Sequence, residues 1–396
     1  MRSLSLLLVA TFACSTAETP LPDASVTADA GVVLDAAAPD AATPDASAPD
    51  AEPAPDAGPA DSGVSYAEVA SAASWAWLPN SPELSRGKQD DVYFLDALHG
   101  FSVSGPTNRI SRTDDGGETW TPSFTHAGTY FRSLLFVDAQ RGFAGNLGPI
   151  PGSGITDPQV LYQTVDGGGT WAPVTTITGP MPTGICNMTK IDDQNLIGVG
   201  RVNGPSHLIR SDDSGATWTS TDLGAQLAML IDARFTSPTE GIVIGATSGR
   251  SLKCTILRTT DGTTFVPVFT GAAINSLCWK ISFPSPLVGY VSIQNTQGGT
   301  SAFAKTIDGG ATWTEMPLLA GAPYGGVGIG FITDDIGWIS ADNPAQPTLK
   351  TIDGGLTWAP DPVLRSPINR FRFVDKQTAY AIGARIYKMT IAWPTP

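Results

Sequence analysis

The eight residues Thr113-Asp114-Asp115-Gly116-Gly117-Glu118-Thr119-Trp120 recur along this chain of 396 residues in closely related forms. Full copies occupy residues 164–171, 211–218, 306–313 and 351–358, and a copy at residues 259–265 is one residue shorter and ends in Phe. Their aspartates, which are 45 to 51 residues apart, are Asp115, Asp166, Asp213, Asp261, Asp308 and Asp353. That period is the size of one four-stranded blade of a β-propeller.

A second repeated element has the same period: an apolar strand ending in Phe, a polar turn, and Gly before an aromatic or aliphatic residue. The copies begin at Phe94, Phe136, Phe235, Phe283, Phe331 and Phe373, with a weaker copy at Ile191. Seven copies predict seven blades of about 48 residues each. The seventh Asp motif is expected near Tyr387, so residues 74–78 should supply the outer strand of the last blade and close the ring.

The chain is therefore predicted to be all-β, a seven-bladed β-propeller over residues 64–396 whose four-stranded blades carry the repeated Asp motif at a turn. Such a turn uses Asp to accept backbone hydrogen bonds and Gly to supply positive φ. We call the motif the Asp-box. Its tryptophans, expected to be buried as wedges between sheets, are Trp120, Trp171, Trp218, Trp313 and Trp358. The six carboxylates lie one per blade, so we assign them no catalytic role.

The N-terminus has the pattern of a signal peptide over residues 1–17: Arg2, an apolar run from Leu4 to Phe12, and then small residues. Cleavage after Ala17 and cleavage before Cys14 are both open. The second site resembles a bacterial lipobox, although Thr11 departs from it, and would make Cys14 the lipid-attachment residue. We favour this lipoprotein interpretation; the alternative is that Cys14 is removed with the signal.

Residues 18–63 consist almost entirely of Ala, Pro, Asp, Ser and Thr, with no Lys, Phe, Trp or Tyr. Such a segment buries too little apolar surface to fold, so we predict a disordered, extended linker. Much of the formal charge of −14 lies in this segment and the signal. An acidic chain lacks the Lys and Arg excess that phosphate neutralisation requires, so nucleic acid is not expected as a partner.

The first blade closely resembles a blade of the photosystem II stability and assembly factor family. The resemblance is carried by Val92–Asp96, Gly100-Phe101, residues 110–113 and the Asp-box at residues 113–120. The resemblance extends over residues 70–393. It implies a seven-bladed, non-enzymatic, extracytoplasmic factor that binds other proteins. In photosynthetic members the partner is a reaction-centre subunit and an arginine-rich patch is implicated. Nothing in the sequence indicates photosynthesis, and the long linker departs from the family pattern.

A comparable basic patch is predicted from strand alternation, because the residues one and three before each inner-strand Phe share a face. The basic residues at these positions are Lys190, Arg234, Lys280, Arg370 and Arg372, accompanied by Asp91, Asp232, Gly328 and Gly330. This cluster is the candidate binding site for an anion or an acidic peptide. The alternative is that these side chains form ordinary ion pairs, for example Arg234 with Asp232.

Glycoside hydrolysis and carbohydrate binding are the competing functions, because sialidases also carry Asp-boxes on propellers. Their Arg-Ile-Pro signature is absent, since Ser111 follows Arg109-Ile110 and Tyr387 follows Arg385-Ile386. Acid and base carboxylates, if present, would come from Asp90, Asp91, Asp334 or Asp335.

We expect neither metal nor cofactor, because the spacing of His99, His126 and His207 along the sequence is not that of metal ligands. Among the cysteines, we expect Cys254 and Cys278, from adjacent blades, to form a disulfide, which leaves Cys186 unpaired.

These observations favour a non-catalytic binding or assembly module, exported to a bacterial envelope and reaching the membrane only through a lipid anchor. A protein partner is expected, a glycan is the alternative ligand, and the chain is expected to be a monomer.

Overall fold

The computed structural model describes residues 64–82, 88–247, 251–295, 301–319 and 324–392. The predicted signal peptide, Cys14 and the predicted linker lie outside these residues. No helix in the described part of the chain is both long enough and apolar enough to cross a membrane.

The described chain begins with helix α1 (Tyr66–Ala72) and strand β1 (Trp75–Trp77). Blade 1 contains β2 (Asp91–Phe94), β3 (Gly100–Ser104), β4 (Arg109–Thr113) and β5 (Thr121–Thr125), with a short 3-10 helix at Gly105–Thr107. Blade 2 contains β6 (Phe131–Phe136), β7 (Gly142–Asn146), β8 (Leu161–Thr164) and β9 (Ala172–Pro173). Blade 3 contains β10 (Ile177–Thr178), β11 (Asn187–Lys190), β12 (Leu196–Gly200), β13 (His207–Ser211) and β14 (Trp218–Asp222).

Blade 4 contains β15 (Met229–Phe235), β16 (Gly241–Ala246), β17 (Cys254–Thr259) and β18 (Val266–Thr270). Blade 5 contains β19 (Ser276–Ser282), β20 (Gly289–Asn295), β21 (Ser301–Thr306) and β22 (Thr314–Leu319). Blade 6 contains β23 (Gly326–Phe331), β24 (Gly337–Ala341), β25 (Pro347–Thr351) and β26 (Ala359–Arg365). Blade 7 contains β27 (Ile368–Phe373), β28 (Thr378–Gly383), β29 (Ile386–Thr390) and β1.

These seven sheets confirm the predicted all-β, seven-bladed propeller. The predicted closure is also confirmed, because β1 pairs antiparallel with β29 and becomes the outer strand of blade 7. Two features differ from the prediction. The two-residue strand β10 pairs parallel with β14, which gives blade 3 a fifth strand. Helix α1 precedes the propeller, and its first turn is held by a capping box between Ser65 and Glu68.

The antiparallel order within a blade fixes which turns share a face of the propeller. The first and third strands of each blade run in the same direction, so the turns that follow them lie on one side. The Asp-boxes follow the third strands, and we therefore call this side the Asp-box face. The turns between second and third strands, and the connections between blades, lie on the opposite face.

The second sequence repeat is explained by contact between an aromatic ring and a glycine. Phe94 at the end of β2 pairs with Gly100 at the start of β3. A Cβ at Gly100 would lie 2.6 Å from Cδ1 of Phe94, so only glycine allows the ring to lie across it. The same approach occurs at Gly142, Gly241, Gly289 and Gly337.

Each inner-strand Phe also contacts the neighbouring blade. Phe94 stacks on Tyr380 of blade 7, with ring centroids 3.9 Å apart, and Phe331 stacks on Tyr290 of blade 5 at 3.5 Å. The Asp-box tryptophans approach these rings edge-on, as Trp120 does against Phe94 at 6.2 Å. The corresponding contacts are Trp171 with Phe136, Trp313 with Phe283, and Trp358 with Phe331. The inner strand of blade 3 has no Phe, and Trp218 packs edge-on against Phe143 in the second strand of blade 2.

The Asp-box of blade 3 shows how the motif closes its turn. Asp213 Oδ1 accepts hydrogen bonds from the Ser211 hydroxyl at 2.8 Å and the Thr217 amide at 2.9 Å, and Oδ2 accepts from the Thr217 hydroxyl at 2.6 Å. The Trp218 indole donates to the Gly215 carbonyl at 3.1 Å. Equivalent carboxylate bonds occur at Asp115, Asp166, Asp308 and Asp353. In the shortened copy, Asp261 accepts from the amides of Thr263 and Thr264.

A disulfide joins Cys254 on β17 to Cys278 on β19 and so links blade 4 to blade 5. Cys186, just before β11, is a buried free thiol.

Ring closure by β1 depends on Trp75, which is 3% exposed and packs against Trp338 at 5.3 Å and Phe371 at 5.8 Å. We expect Trp75→Ala to lower the free energy of unfolding by about 3–5 kcal/mol, because it removes a buried aromatic ring. Urea denaturation measures this loss. Trp77→Ala, in the same strand but 46% exposed, is the control and should cost less than about 1.5 kcal/mol. Equal losses would contradict a closure role for Trp75.

Asp213 and its neighbour Asp212 allow a matched test of the Asp-box. The hydrogen bonds from Thr217, side chain first and then backbone, lower the pKa of Asp213 in the folded chain. The stability that ionised Asp213 gives the folded chain is therefore present above its pKa of about 4 in the unfolded chain. This stability is lost as the pH falls through its lower pKa in the folded chain. Asp213→Asn should reduce the urea midpoint at pH 7 but not at pH 2. Asp212→Asn, at an exposed position in the same turn, should change neither.

Candidate functional site

The central channel is closed near its middle by side chains from blades that are not neighbours in the ring. The guanidinium of Arg132 in blade 2 lies over the Trp279 ring of blade 5, 5.4 Å from its centroid. Arg370 of blade 7 donates a hydrogen bond through Nη1 to Oδ1 of Asn187 in blade 3. Contacts between such distant blades are possible only across the propeller axis. These four side chains therefore form a plug in the channel.

Bulges in the innermost strands explain how Arg132 and Trp279 reach the axis. The pairing register shifts between Phe131 and Ser133 in β6, and comparable shifts occur in β15, β19, β23 and β27. At a bulge two consecutive residues oppose one partner, so strict alternation of faces is lost. Arg132 and Trp279 lie four residues before the inner-strand Phe of their blades, where alternation points them away from the channel, so sequence alternation missed them.

Asn187 reaches the axis without a bulge, because β11 keeps an unbroken register in which Lys190 pairs with Leu196 as Phe94 pairs with Gly100. Lys190, and not Ile191, is therefore equivalent to the inner-strand Phe. Asn187 lies three residues before it, on the channel side.

A pocket of about 170 Å³ occupies the part of the channel between the plug and the Asp-box face. We call it the axial pocket. It is lined by Asn187, Thr189, Asp232, Ala233, Arg234, Lys280, Ile281, Ile329, Arg370, Phe371 and Arg372. The lining includes four cationic residues and one carboxylate, in a chain whose overall charge is strongly negative.

Four of the five basic residues predicted as a patch line this pocket: Arg234, Lys280, Arg370 and Arg372. Lys190 does not. Its ammonium turns to the following loop, where it donates to Asp193 at 2.8 Å, three residues along the chain. The predicted patch is thus corrected at Lys190, because this residue pairs with Leu196 and occupies the position of the inner-strand Phe, on the face of β11 opposite to the pocket residues Asn187 and Thr189.

The ion pairs proposed as the alternative also form, but mainly between blades. Arg372 of blade 7 donates to both oxygens of Asp91 in blade 1, through Nε at 2.9 Å and Nη2 at 2.7 Å. Arg370 Nε lies 3.4 Å from Asp91 Oδ1. Burial by itself would raise the pKa of Asp91, but Arg370 and Arg372 outweigh it and hold the pKa below its usual value. Asp91 is therefore a buried, ionised carboxylate that belongs to these two arginines.

Asp232 is directed toward Lys280 of the next blade and not toward Arg234 of its own strand. Lys280 Nζ lies 4.0 Å from Asp232 Oδ2, and the lysine is 2% exposed. Burial, together with the nearby charge of Arg370, lowers the pKa of Lys280 to about 7. The guanidinium of Arg234 lies over the Phe283 ring at 4.2 Å, at the mouth of the pocket.

Further charges lie on the opposite side of the plug. Lys88 donates to Asn369 Oδ1 at 2.7 Å and lies over the Trp279 ring, and burial lowers its pKa to about 8. Asp90 lies 3.6 Å from Arg132 Nη1, and burial raises its pKa despite that charge. Charged side chains thus lie on both sides of the plug.

The carboxylates considered as hydrolytic acids or bases are not gathered in one cleft. Asp90 and Asp91 are fully buried in the ion pairs just described. Asp334 and Asp335 lie in the turn between β23 and β24 of blade 6. A second groove, of about 310 Å³, contains Glu240, Asp308, Arg234 and Arg258.

In that second groove both carboxylates have local partners. Glu240 pairs with Arg258 at 3.5 Å, and Asp308 belongs to the Asp-box of blade 5. Hydrogen bonds from Thr312, mainly from its side chain, lower the pKa of Asp308 to about 2. A general acid requires the opposite shift, so Asp308 is not suited to that role.

The histidines are separated in the structure. His99 contacts Asp96 in the turn after β2, His126 stacks on Phe124, and His207 is buried in β13. Among the described residues no three His, Cys, Asp or Glu side chains lie together in a group that could hold a metal ion.

Comparison with solved structures supports the same architecture. YCF48 bound to a D1 peptide aligns with a TM-score of 0.58 and 18% identity, over 81% of this chain and 97% of that one. YCF48 from Cyanidioschyzon merolae aligns with a TM-score of 0.59 and 17% identity, over 80% and 99%. The GH74 xyloglucanase from Xanthomonas campestris aligns with a TM-score of 0.57 and 14% identity, over 80% of this chain but only 53% of the enzyme.

At these identities the matches establish the propeller fold and no more. YCF48 shares this fold, and so does part of a xyloglucanase. No protein-family model matches the chain, and no curated protein matches it in sequence.

The lowered pKa of Lys280 predicts how stability depends on pH. Between about pH 7 and pH 10.5 the unfolded lysine binds a proton that the folded one does not, so stability rises with pH across this window. Below pH 7 the full cost of burying the charge is present. In a zwitterionic buffer, the wild-type urea midpoint should therefore rise from pH 7 to pH 9 relative to Lys280→Met. Parallel pH profiles for the two proteins would contradict this.

Proposed function

We propose that this chain is a non-catalytic binding module that holds a protein partner at the axial pocket on the Asp-box face. The observation that carries the proposal is the convergence of Arg234, Lys280, Arg370 and Arg372 on one pocket of an otherwise acidic protein. Opposite charge attracts an acidic segment, and guanidinium groups bind carboxylates with defined geometry. The same fold in YCF48 binds a D1 peptide, which supports a protein ligand.

The size of the pocket favours a peptide side chain or terminus over a glycan. Sites for drug-sized small molecules are about 300–1,000 Å³, and the axial pocket is smaller. It is also ringed by charged groups rather than by the exposed aromatic surface on which sugars stack. Carbohydrate binding and hydrolysis are therefore the second possibility, and the experiment below distinguishes them.

We propose further that the propeller acts outside the cytoplasm, joined through the acidic linker of residues 18–63 to a lipid on Cys14. The apolar run and small residues of the N-terminus support export, and the linker composition supports an extended spacer. Metabolic labelling with a fatty acid tests the anchor: label on the wild type and none on Cys14→Ser is expected. Equal labelling of both would contradict lipid attachment at Cys14.

The choice of variants for a binding test follows from burial. Arg370 and Arg372 hold Asp91, so reversing their charges would disturb the fold as well as the pocket. Lys190 and Arg234 are partly exposed and lie toward the Asp-box face. Arg365 and Arg385 are exposed and lie toward the opposite face, at the end of β26 and between β28 and β29.

We therefore expect Arg234→Gln, which removes a cationic group from the pocket, to lose a protein ligand that Lys190→Gln and the double variant Arg365→Gln, Arg385→Gln both retain. The measurement is affinity capture from native envelope extract with the full chain, followed by quantitative mass spectrometry. Loss in all three variants, or in none of them, would contradict a site at the axial pocket. Recovery of envelope glycan without protein would favour carbohydrate binding, and hydrolysis would then be assayed.

A further inference from the structure

Three cationic side chains in the channel have N–H groups without hydrogen-bond acceptors in the part of the chain that the structure describes. The atoms are Nζ of Lys280 and both Nε and Nη2 of Arg132 and of Arg370. The lysine is 2% exposed and each arginine 5% exposed. Buried charged donors are strongly unfavourable unless a partner neutralises them.

The neighbouring carboxylates are too few to satisfy all of these donors. Six cationic residues line the channel, Lys88, Arg132, Arg234, Lys280, Arg370 and Arg372, against the three carboxylates Asp90, Asp91 and Asp232. Asp91 is already bound by Arg372 through both oxygens, and Asp232 lies 4.0 Å from Lys280. The channel therefore carries an excess of positive charge next to the plug.

The geometry of the free donors indicates which kind of anion would fit. Nε and Nη2 lie on the same edge of a guanidinium, and that edge binds two oxygens of one carboxylate or phosphate side by side. Arg372 uses this edge to hold Asp91 at 2.9 and 2.7 Å. Arg370 leaves the same edge without a hydrogen bond, although its Nε lies 3.4 Å from Asp91 Oδ1, while its Nη1 donates to Asn187. Lys280 and Arg370 both line the axial pocket, which connects these donors to the Asp-box face.

We infer that the floor of the axial pocket is a binding site for one oxyanion group, a carboxylate or an inorganic phosphate, held by Lys280 Nζ and the Nε/Nη2 edge of Arg370. The pocket volume of about 170 Å³ suits a single group of this size. For a carboxylate carried by a partner the inference rests on the proposed function; a free inorganic ion requires no partner.

The test is the thermal unfolding midpoint of the full chain in a zwitterionic buffer, with sodium acetate or sodium phosphate added. Sodium chloride at the same ionic strength corrects for screening. A ligand that binds only the folded state raises the midpoint. We expect acetate or phosphate to raise the wild-type midpoint by about 2 °C or more beyond the chloride effect. A rise equal to that of chloride would overturn the inference.

Three variants locate the effect. Lys280→Met should abolish the anion-dependent rise. Arg370→Lys should also abolish it, because it keeps the charge but lacks the paired donor edge. Lys305→Met removes a lysine that bonds the Gly354 carbonyl away from the pocket, and should retain the full rise. A rise that persists in both pocket variants would overturn the site.

A short N-acetylated alanine peptide, with a free C-terminal carboxylate or a C-terminal amide, separates the two sources of the anion. A rise with the acid form but not with the amide supports a carboxylate delivered by a protein chain. A rise with phosphate but with neither peptide supports the site with a free ion as its occupant. Because these measurements use no partner protein, they can succeed when the capture experiment fails, so the two proposals fail separately.

Discussion

The structure depends on one repeated contact, the inner-strand phenylalanine held between a glycine, an aromatic ring of the preceding blade and an Asp-box tryptophan. Phe94 shows all three, with Gly100 beneath it, Tyr380 stacked on it and Trp120 edge-on. Aromatic pairs in these geometries add to the free energy gained by burial. The glycine and the tryptophan belong to the same blade as the phenylalanine, and the stacked ring belongs to the preceding blade. One side chain therefore both builds its own blade and joins it to the preceding one.

This arrangement places apolar residues between the blades and leaves the axis to the inner faces of seven strands. Polar side chains that face the axis cannot reach bulk solvent freely, so they must pair with one another. The pairs between Arg372 and Asp91 and between Lys280 and Asp232 both join neighbouring blades. The channel is therefore a second, electrostatic connection between blades, and its uneven charge gives it a chemical preference.

The Asp-boxes and the channel have different roles, although both contain carboxylates. Asp213 and its equivalents bond only to their own turns, and their lowered pKa values belong to structural hydrogen bonds. Lys280 and Arg370 of the axial pocket have lowered pKa values and donors without a hydrogen bond, which are typical of sites that bind a ligand. The acidic character of the whole chain thus conceals a small cationic site.

The sequence by itself determined the number of blades, the closure of the ring by residues 74–78 and the four cationic residues that line the axial pocket. These features follow from local repeats and from strand alternation, which a sequence records directly. Only the tertiary structure decided that Arg132, Asn187 and Trp279 meet at the axis, since bulges displace Arg132 and Trp279 and the contacts join distant blades. It also decided that Lys190 turns to Asp193, because the choice among charged partners depends on distances in space.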